Sequence, residues 1–272
     1  MFRNQYDGDA TTWSPQGRIH QVEYAMEAVK QGSAAVGLRS NTHAVLVSLN
    51  RSFGDLATHK EKLIKIDGHM GIAFSGLLSD ARILSSFMRR EALTSKMLYD
   101  RSVPVSRVVE AIGNKAQVNT QQYGNRPYGV GLLVAGHDET GPHIHECMPS
   151  GTTFDYVAMA IGSRSQSAKT YLEKHFESFA SATLDELILH GVRALRDCLQ
   201  QDQNLTVESC SVGVVGKDTP FDILDGARLG DFIQKVETTE GGRRGAHAVP
   251  VETSNVTPSE TPAADQDTQM ST

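Results

Sequence analysis

Two rhythms of apolar residues alternate along the chain. At Ile19, Val22, Met26 and Val29 they recur every three or four positions, which predicts an amphipathic helix, and the turn-forming run Ser14-Pro15-Gln16-Gly17 opens it. Gly32 is expected to cap its C-terminus. The rhythm then shortens to two. Segments 34–39 and 43–49 flank Ser40-Asn41-Thr42, and 62–66 and 70–75 flank Asp67-Gly68, two residues that tolerate positive φ; both pairs predict β-hairpins. Helical spacing returns over about 79–95 and 105–122, the second with Val105, Val108, Val109, Ile112 and Ala116 on one stripe. Three strands are predicted at 129–136, 143–148 and 153–161, then helices at about 165–179 and 184–199. The last of these is introduced by Thr183 with Glu186 three residues on, a capping box. Strands at 209–215 and 221–224 finish the folded part.

Strands thus arrive in consecutive runs between pairs of helices, without the strict alternation of a parallel α/β fold. That order predicts an α+β fold: antiparallel sheets with helices layered on them, most simply a four-layer αββα sandwich. No repeat at a fixed period is visible, which removes solenoids and propellers. From Glu237 onward the sequence turns to Thr, Gly, Pro, Ser, Gln and acidic residues, which bury too little apolar surface to offset their ordering entropy. The chain therefore divides into an N-terminal segment and helix at 1–32, a sandwich domain at 33–236 and a disordered acidic tail at 237–272. Arg243-Arg244 reads as a solvated basic pair, and the sequons at Asn204 and Asn255 as chance matches.

Composition narrows the function. The formal charge is −6, from 26 basic and 32 acidic residues, so no net basic field is available to hold a nucleic acid. Three scattered cysteines, Cys147, Cys198 and Cys210, give neither a disulfide framework nor a Cys-x-x-Cys site, and point to a reducing compartment. Residues 1–14 are polar, so no secretory signal is expected, and no apolar run approaches the roughly 18 residues a membrane span needs.

Phosphate-cofactor chemistry is not indicated. There is no G-x-x-x-x-G-K-S/T loop, and Gly129-Val130-Gly131 lacks the third glycine of a dinucleotide turn. No G-x-S-x-G elbow is present. His143 and His145 share a strand face as metal ligands do, but without a neighbouring carboxylate or cysteine a half-exposed polar face explains them better; no cofactor is expected. Gly32-Ser33 opens the first strand and Lys62 another about thirty residues later. Were the chain cut before Ser33, the freed amine could serve as base for its own hydroxyl, with a nearby lysine lowering its pKa. That is the logic of a self-processing N-terminal-nucleophile hydrolase; a helix cap and an exposed strand end explain the same residues equally well.

Tyr6-Asp7, Ser14-Pro15-Gln16-Gly17-Arg18, Gln21-Val22-Glu23-Tyr24-Ala25 and Ala28-Val29-Lys30-Gln31-Gly32-Ser33 together resemble the N-terminal signature of proteasome alpha subunits. Glu61-Lys62-Leu63, Ser75-Gly76-Leu77, Asp80-Ala81-Arg82, Arg126-Pro127-Tyr128-Gly129-Val130 and Ala160-Ile161-Gly162 extend the resemblance to about Phe232. Phe2-Arg3-Asn4-Gln5-Tyr6-Asp7 and Thr170-Tyr171-Leu172-Glu173 are most similar to the eukaryotic type-1 branch.

The resemblance implies an N-terminal-nucleophile hydrolase fold without catalysis. The nucleophile position of the proteolytic beta subunits corresponds to Ser33, and an uncut chain has only an amide nitrogen there, which is not basic. It further implies a structural and gating subunit of a seven-membered alpha ring in the 20S core, in the cytoplasm and nucleus. Its partners would be the other alpha subunits, the beta subunits of the adjacent ring, and the tails of regulatory ATPases and other activators. Carried over by residue, Tyr6, Asp7, Pro15 and Tyr24 match the positions that order the open gate. Lys62, Gly76 and Leu77 match the pocket that receives regulator tails. Gly8 stands where the family commonly has arginine, so this chain lacks that charged contact.

Overall fold

The computed structural model describes residues 5–52, 56–200, 205–224 and 226–244. The signature residues Phe2-Arg3-Asn4, the asparagines of both sequons and the tail from Gly245 onward lie outside the described residues.

The first helix, α1 (His20–Gln31), is followed by the hairpin β1 (Ala35–Arg39) and β2 (His43–Leu49), then by β3 (Leu63–Asp67) and β4 (Met70–Gly76). Two helices come next, α2 (Leu78–Tyr99) and α3 (Val105–Gln121), and then β5 (Val130–Asp138), β6 (Gly141–Cys147), β7 (Thr153–Tyr156) and β8 (Ala158–Ile161). The rest is α4 (Ser165–Phe179), α5 (Leu184–Arg196), β9 (Cys210–Gly216), β10 (Thr219–Leu224) and α6 (Ala227–Arg244). The strands form two five-stranded sheets in the orders β10-β9-β2-β1-β8 and β3-β4-β5-β6-β7, with every pairing antiparallel.

Period-two alternation decides which side of each strand meets which layer. On β1, Val36 and Leu38 face α4, α5 and α6, where they pack with Leu172, Leu187, Val192 and Leu229, while Ala35 faces the second sheet. On β4, Ile72 and Phe74 face α2 and α3, meeting Leu84, Met88, Val108 and Ile112, while Ala73 faces the first sheet. The layers are therefore helix, sheet, sheet, helix, as the order of elements predicted.

Between the sheets the side chains are aliphatic, from Ala35 and Ala73 to Leu46, Leu133 and Ile144, with one aromatic ring among them. Phe221 of β10 is fully buried, and its ring occupies the space where side chains at Gly71 and Gly213 would stand: a Cβ at either would lie 2.1 Å or 2.7 Å from the ring. The Phe221 amide also donates to the Gly68 carbonyl at 2.7 Å. The β3–β4 turn is thereby fastened to the opposite sheet. That turn differs from its expected form: neither Asp67 nor Gly68 has positive φ, and a register shift between Lys65 and Asp67 makes the bend, with Asp67 Oδ1 accepting the Gly68 N–H at 2.7 Å.

Two sequence expectations are corrected. The single strand at 153–161 is two strands in different sheets: β7 pairs with β6, β8 pairs with β1, and Val157 alone lies between them. The folded part also continues past Leu224, because α6 runs to Arg244 and crosses the boundary drawn at 236. Leu229, Ile233 and Val236 fall on one face and are buried against the α5 side of the core. The Thr183–Glu186 capping box forms as expected, with both reciprocal contacts made.

Candidate functional site

The N-terminal segment is held against α1 by its own side chains. Ser14 exchanges backbone hydrogen bonds with the turn it begins, donating to the Arg18 carbonyl at 2.8 Å and accepting from Gly17 at 2.9 Å, while its hydroxyl accepts the Arg18 N–H at 3.1 Å. Gly17 sits at φ 74°, a conformation that needs no Cβ. Pro15, on the exposed outside of this turn, contributes its fixed φ. The turn folds the segment back along the helix. The Tyr24 hydroxyl then donates to Asp7 Oδ2 at 3.0 Å, and Gln21 Nε2, one turn earlier, donates to the Asp7 carbonyl. Asp7 and Tyr24 are thus brought together; Pro15 acts on them through the turn, and Tyr6, half-buried, precedes Asp7 in the same segment. Gln21 is a participant that sequence reasoning did not single out, although its spacing of three from Tyr24 places both on one helix face.

The far end of α1 is seated on the second sheet. Gly131 of the Gly-Val-Gly run has no side chain, and Val29 of α1 occupies that space, 2.8 Å from where a Cβ would stand; a Cβ at Gly129 would meet Leu77 at 2.9 Å, with Ala28 in ordinary contact at 3.8 Å. Gly32 presses on β4 so closely that a Cβ would meet Ser75 Oγ at 2.2 Å, and Ser75 Oγ donates to the Val29 carbonyl at 2.8 Å. The chain passes from this helix into Ser33 and β1 without a break, and the Gly32 carbonyl accepts the Ser163 N–H at 2.8 Å.

Ser33 is buried, and its nitrogen is an ordinary peptide amide. Lys62 is also buried, contrary to the exposed strand end considered from sequence: its Nζ lies over the Phe74 ring at 4.7 Å from the centroid, a cation–π contact. Burial, reinforced by repulsion from Lys60 and Arg51, pushes its pKa below the usual lysine range. Among the described residues no hydrogen bond joins Ser33 to Lys62.

Lys62 and Phe74 are paired through the backbone, the Phe74 amide donating to the Lys62 carbonyl at 3.2 Å, so Lys62 stands beside the end of β4 that leads to Gly76 and Leu77. Gly76 adopts φ 111° and lies so close to Gly129 that a Cβ would stand 2.3 Å from the Gly129 oxygen. Leu77, half-exposed, donates its N–H to that same oxygen at 2.9 Å. A buried carboxylate fixes this corner: Asp80 accepts both Arg126 Nη atoms, at 2.7 and 2.9 Å, and the Gly129 N–H at 2.9 Å. The Arg126 hydrogen bonds hold the Asp80 carboxyl below its ordinary pKa against the opposing effect of burial.

The sequence that builds this segment, helix and sandwich matches a known family. The proteasome subunit profile matches residues 29–215, and the proteasome A-subunit N-terminal signature matches residues 6–28. The chain belongs to the proteasome subunit family, within its alpha type, the class that makes the non-catalytic outer ring of the 20S core; it is one component of a multi-subunit proteasome complex. It is 56% identical over 236 residues to the probable proteasome subunit alpha type-6 of Schizosaccharomyces pombe, covering 87% of each chain. It is 53% identical over 241 residues to proteasome subunit alpha type-1 of Dictyostelium discoideum, covering 88% of this chain and 97% of the relative. Against proteasome subunit alpha type-6 of Saccharomyces cerevisiae the identity is 51% over 235 residues, covering 86% and 100%.

Proposed function

We propose that this subunit helps gate the pore of a seven-membered alpha ring stacked on a beta ring, in the cytoplasm and nucleus. On this reading, Tyr6, Asp7, Pro15 and Tyr24 order the N-terminal segment, and the corner at Lys62, Gly76 and Leu77 receives the C-terminal tails of regulatory ATPases and other activators. The observation that supports the gate reading is the Tyr24–Asp7 hydrogen bond, because with the Gln21 contact it ties the N-terminal segment to a helix fixed on the sheet. Since Gly8 cannot make the charged contact of an arginine, the segment follows gate movement and does not anchor the closed state.

Core particles assembled with the chain lacking residues 2–12 should hydrolyse small peptides faster in the absence of activator. Tyr24→Phe removes one hydroxyl hydrogen bond, worth about 0.5–1.5 kcal/mol, and so should shift the basal rate by about two- to tenfold at most. Basal rates equal to those of the unaltered particle in both variants would remove the gate assignment. The self-processing hydrolase reading requires a cut before Ser33, and the buried Ser33 with its non-basic amide nitrogen does not favour it.

A further inference from the structure

The second sheet gathers a set of electron-rich atoms that no part of the gate uses. His143 and His145 share one face of β6, their rings stacked 5.8 Å apart, and Asp155 of β7 is the direct cross-strand partner of His145. One ligand atom from each of the three residues lies within 4.8 Å of the other two. The sequence could not show this third group, because Asp155 reaches the pair only through strand register.

The hydrogen bonds around His143 fix which of its nitrogens is bare. Thr140 Oγ1 has one proton, and it donates to Asp138 Oδ1 at 2.6 Å; at 2.7 Å from His143 Nε2 it can then only accept, so Nε2 carries the hydrogen. Asp138 is itself held by the N–H groups of Thr140 at 2.9 Å and Val105 at 3.1 Å. In the neutral imidazole, the Nδ1 lone pair is therefore left facing Asp155 Oδ2 at 3.6 Å, with no hydrogen bond, although it is buried. His145 Nε2 is likewise buried without a hydrogen-bond partner. Arg39 Nη2 offers the carboxylate a long contact of 3.5 Å while its Nη1 is committed to the Pro142 carbonyl at 2.8 Å. Two imidazole nitrogens without hydrogen-bond partners and a carboxylate thus converge on one point. An outer carboxylate that orients a ligating histidine through its other nitrogen is the usual accompaniment of such a site.

We propose that His143, His145 and Asp155 bind a divalent late first-row transition metal of the zinc class, with a fourth position open to water. The donor set of two imidazoles and one carboxylate suits that class over calcium or magnesium, which prefer all-oxygen shells. The half-exposed Asp155 side chain gives the ion a route in. Bound there, the metal clamps the short edge strand β7 to β6 just before the chain crosses to the other sheet.

The test is titration of the full chain, stripped with chelator, with Co(II) as a visible probe. Absorption typical of a four-coordinate nitrogen–oxygen site should saturate at one metal per chain and be displaced by Zn(II). Asp155→Asn, which removes a direct ligand, should weaken uptake by more than the roughly 10–100-fold typical of losing an outer partner, His143→Gln combined with His145→Gln should abolish it, and His190→Gln, on α5, should leave it unchanged. X-ray absorption of the unaltered chain loaded with Zn(II) should show imidazole and oxygen scattering without sulfur, a readout independent of whether the variants fold. Unsaturable uptake, retention by the double variant, or sulfur in the first shell would each overturn the proposal.

Discussion

Asp80 is 1% exposed, so its charge must be satisfied by its neighbours, and the bidentate Arg126 contact with the Gly129 N–H does so. The Arg126 side chain is itself 60% exposed, so water screens much of the charge attraction, and the desolvated hydrogen bonds matter more. Asp80→Asn keeps the shape but loses the anion and should cost about 2 kcal/mol in denaturant or thermal unfolding at neutral pH. The folded-state pKa of Asp80 is depressed, so its contribution is present above the ordinary value of 3.8 and lost as pH falls through the lower folded value. The stability gap between wild type and variant should accordingly hold at neutral pH and narrow below 3.8. A gap that stays constant into that acid range would mean the anion is not the source of the effect. Both residues lie in motifs that carried the family resemblance, yet nothing in a separation of 46 residues announces that they meet.

The elements were legible where the apolar rhythm was clean. The hairpin of β1 and β2, the stripe of α3 and the Thr183 cap follow directly from spacing, because tertiary packing there reinforces local preference. The β7–β8 division was not legible: residues 153–161 read as one strand, and Val157 has none of the glycine or proline punctuation that marks a break. The last helix was hidden for the opposite reason. Gly230, Thr238 and Gly241-Gly242 lower its intrinsic preference, and burial of Leu229, Ile233 and Val236 overrides them. Of the site, the Asp7–Tyr24 pair came from resemblance alone, whereas the Asp155 contribution to the histidine cluster depends on register that the sequence does not display. The contact between β4, β9 and β10 gives an element-scale prediction. Phe221→Ala should destabilise by about 3–5 kcal/mol, and Gly71→Ala should also be strongly destabilising because Gly213 blocks the ring's retreat. The double variant should cost less than the sum of the two, measured as a coupling energy in a mutant cycle; strict additivity would show that the ring and Gly71 do not share that space.

At the scale of the whole molecule, the fold of a hydrolase is present while the reagent that would run it is absent so long as α1 stays joined to Ser33. The helix is built into the structure through Gly32 on β4 and Val29 on β4 and β5, so its loss would uncover that surface. Intact-mass measurement on the purified complex should find this chain with residues before Ser33 retained. A chain beginning at Ser33 would favour the self-processing reading over the gate. The same helix links the two candidate regions, since the latch at Asp7 sits near its start and the Gly76–Gly129 corner lies beneath its end.

The passage from β7 to β8 through Val157 alone leaves no slack in the chain between the layers. The Val157 carbonyl is also taken up by the Arg39 N–H at 2.9 Å, so even that residue is pinned. The two sheets cannot shear past one another without breaking this stitch. Any sliding of one layer over the other would have to stretch that single residue or give up its contact with Arg39.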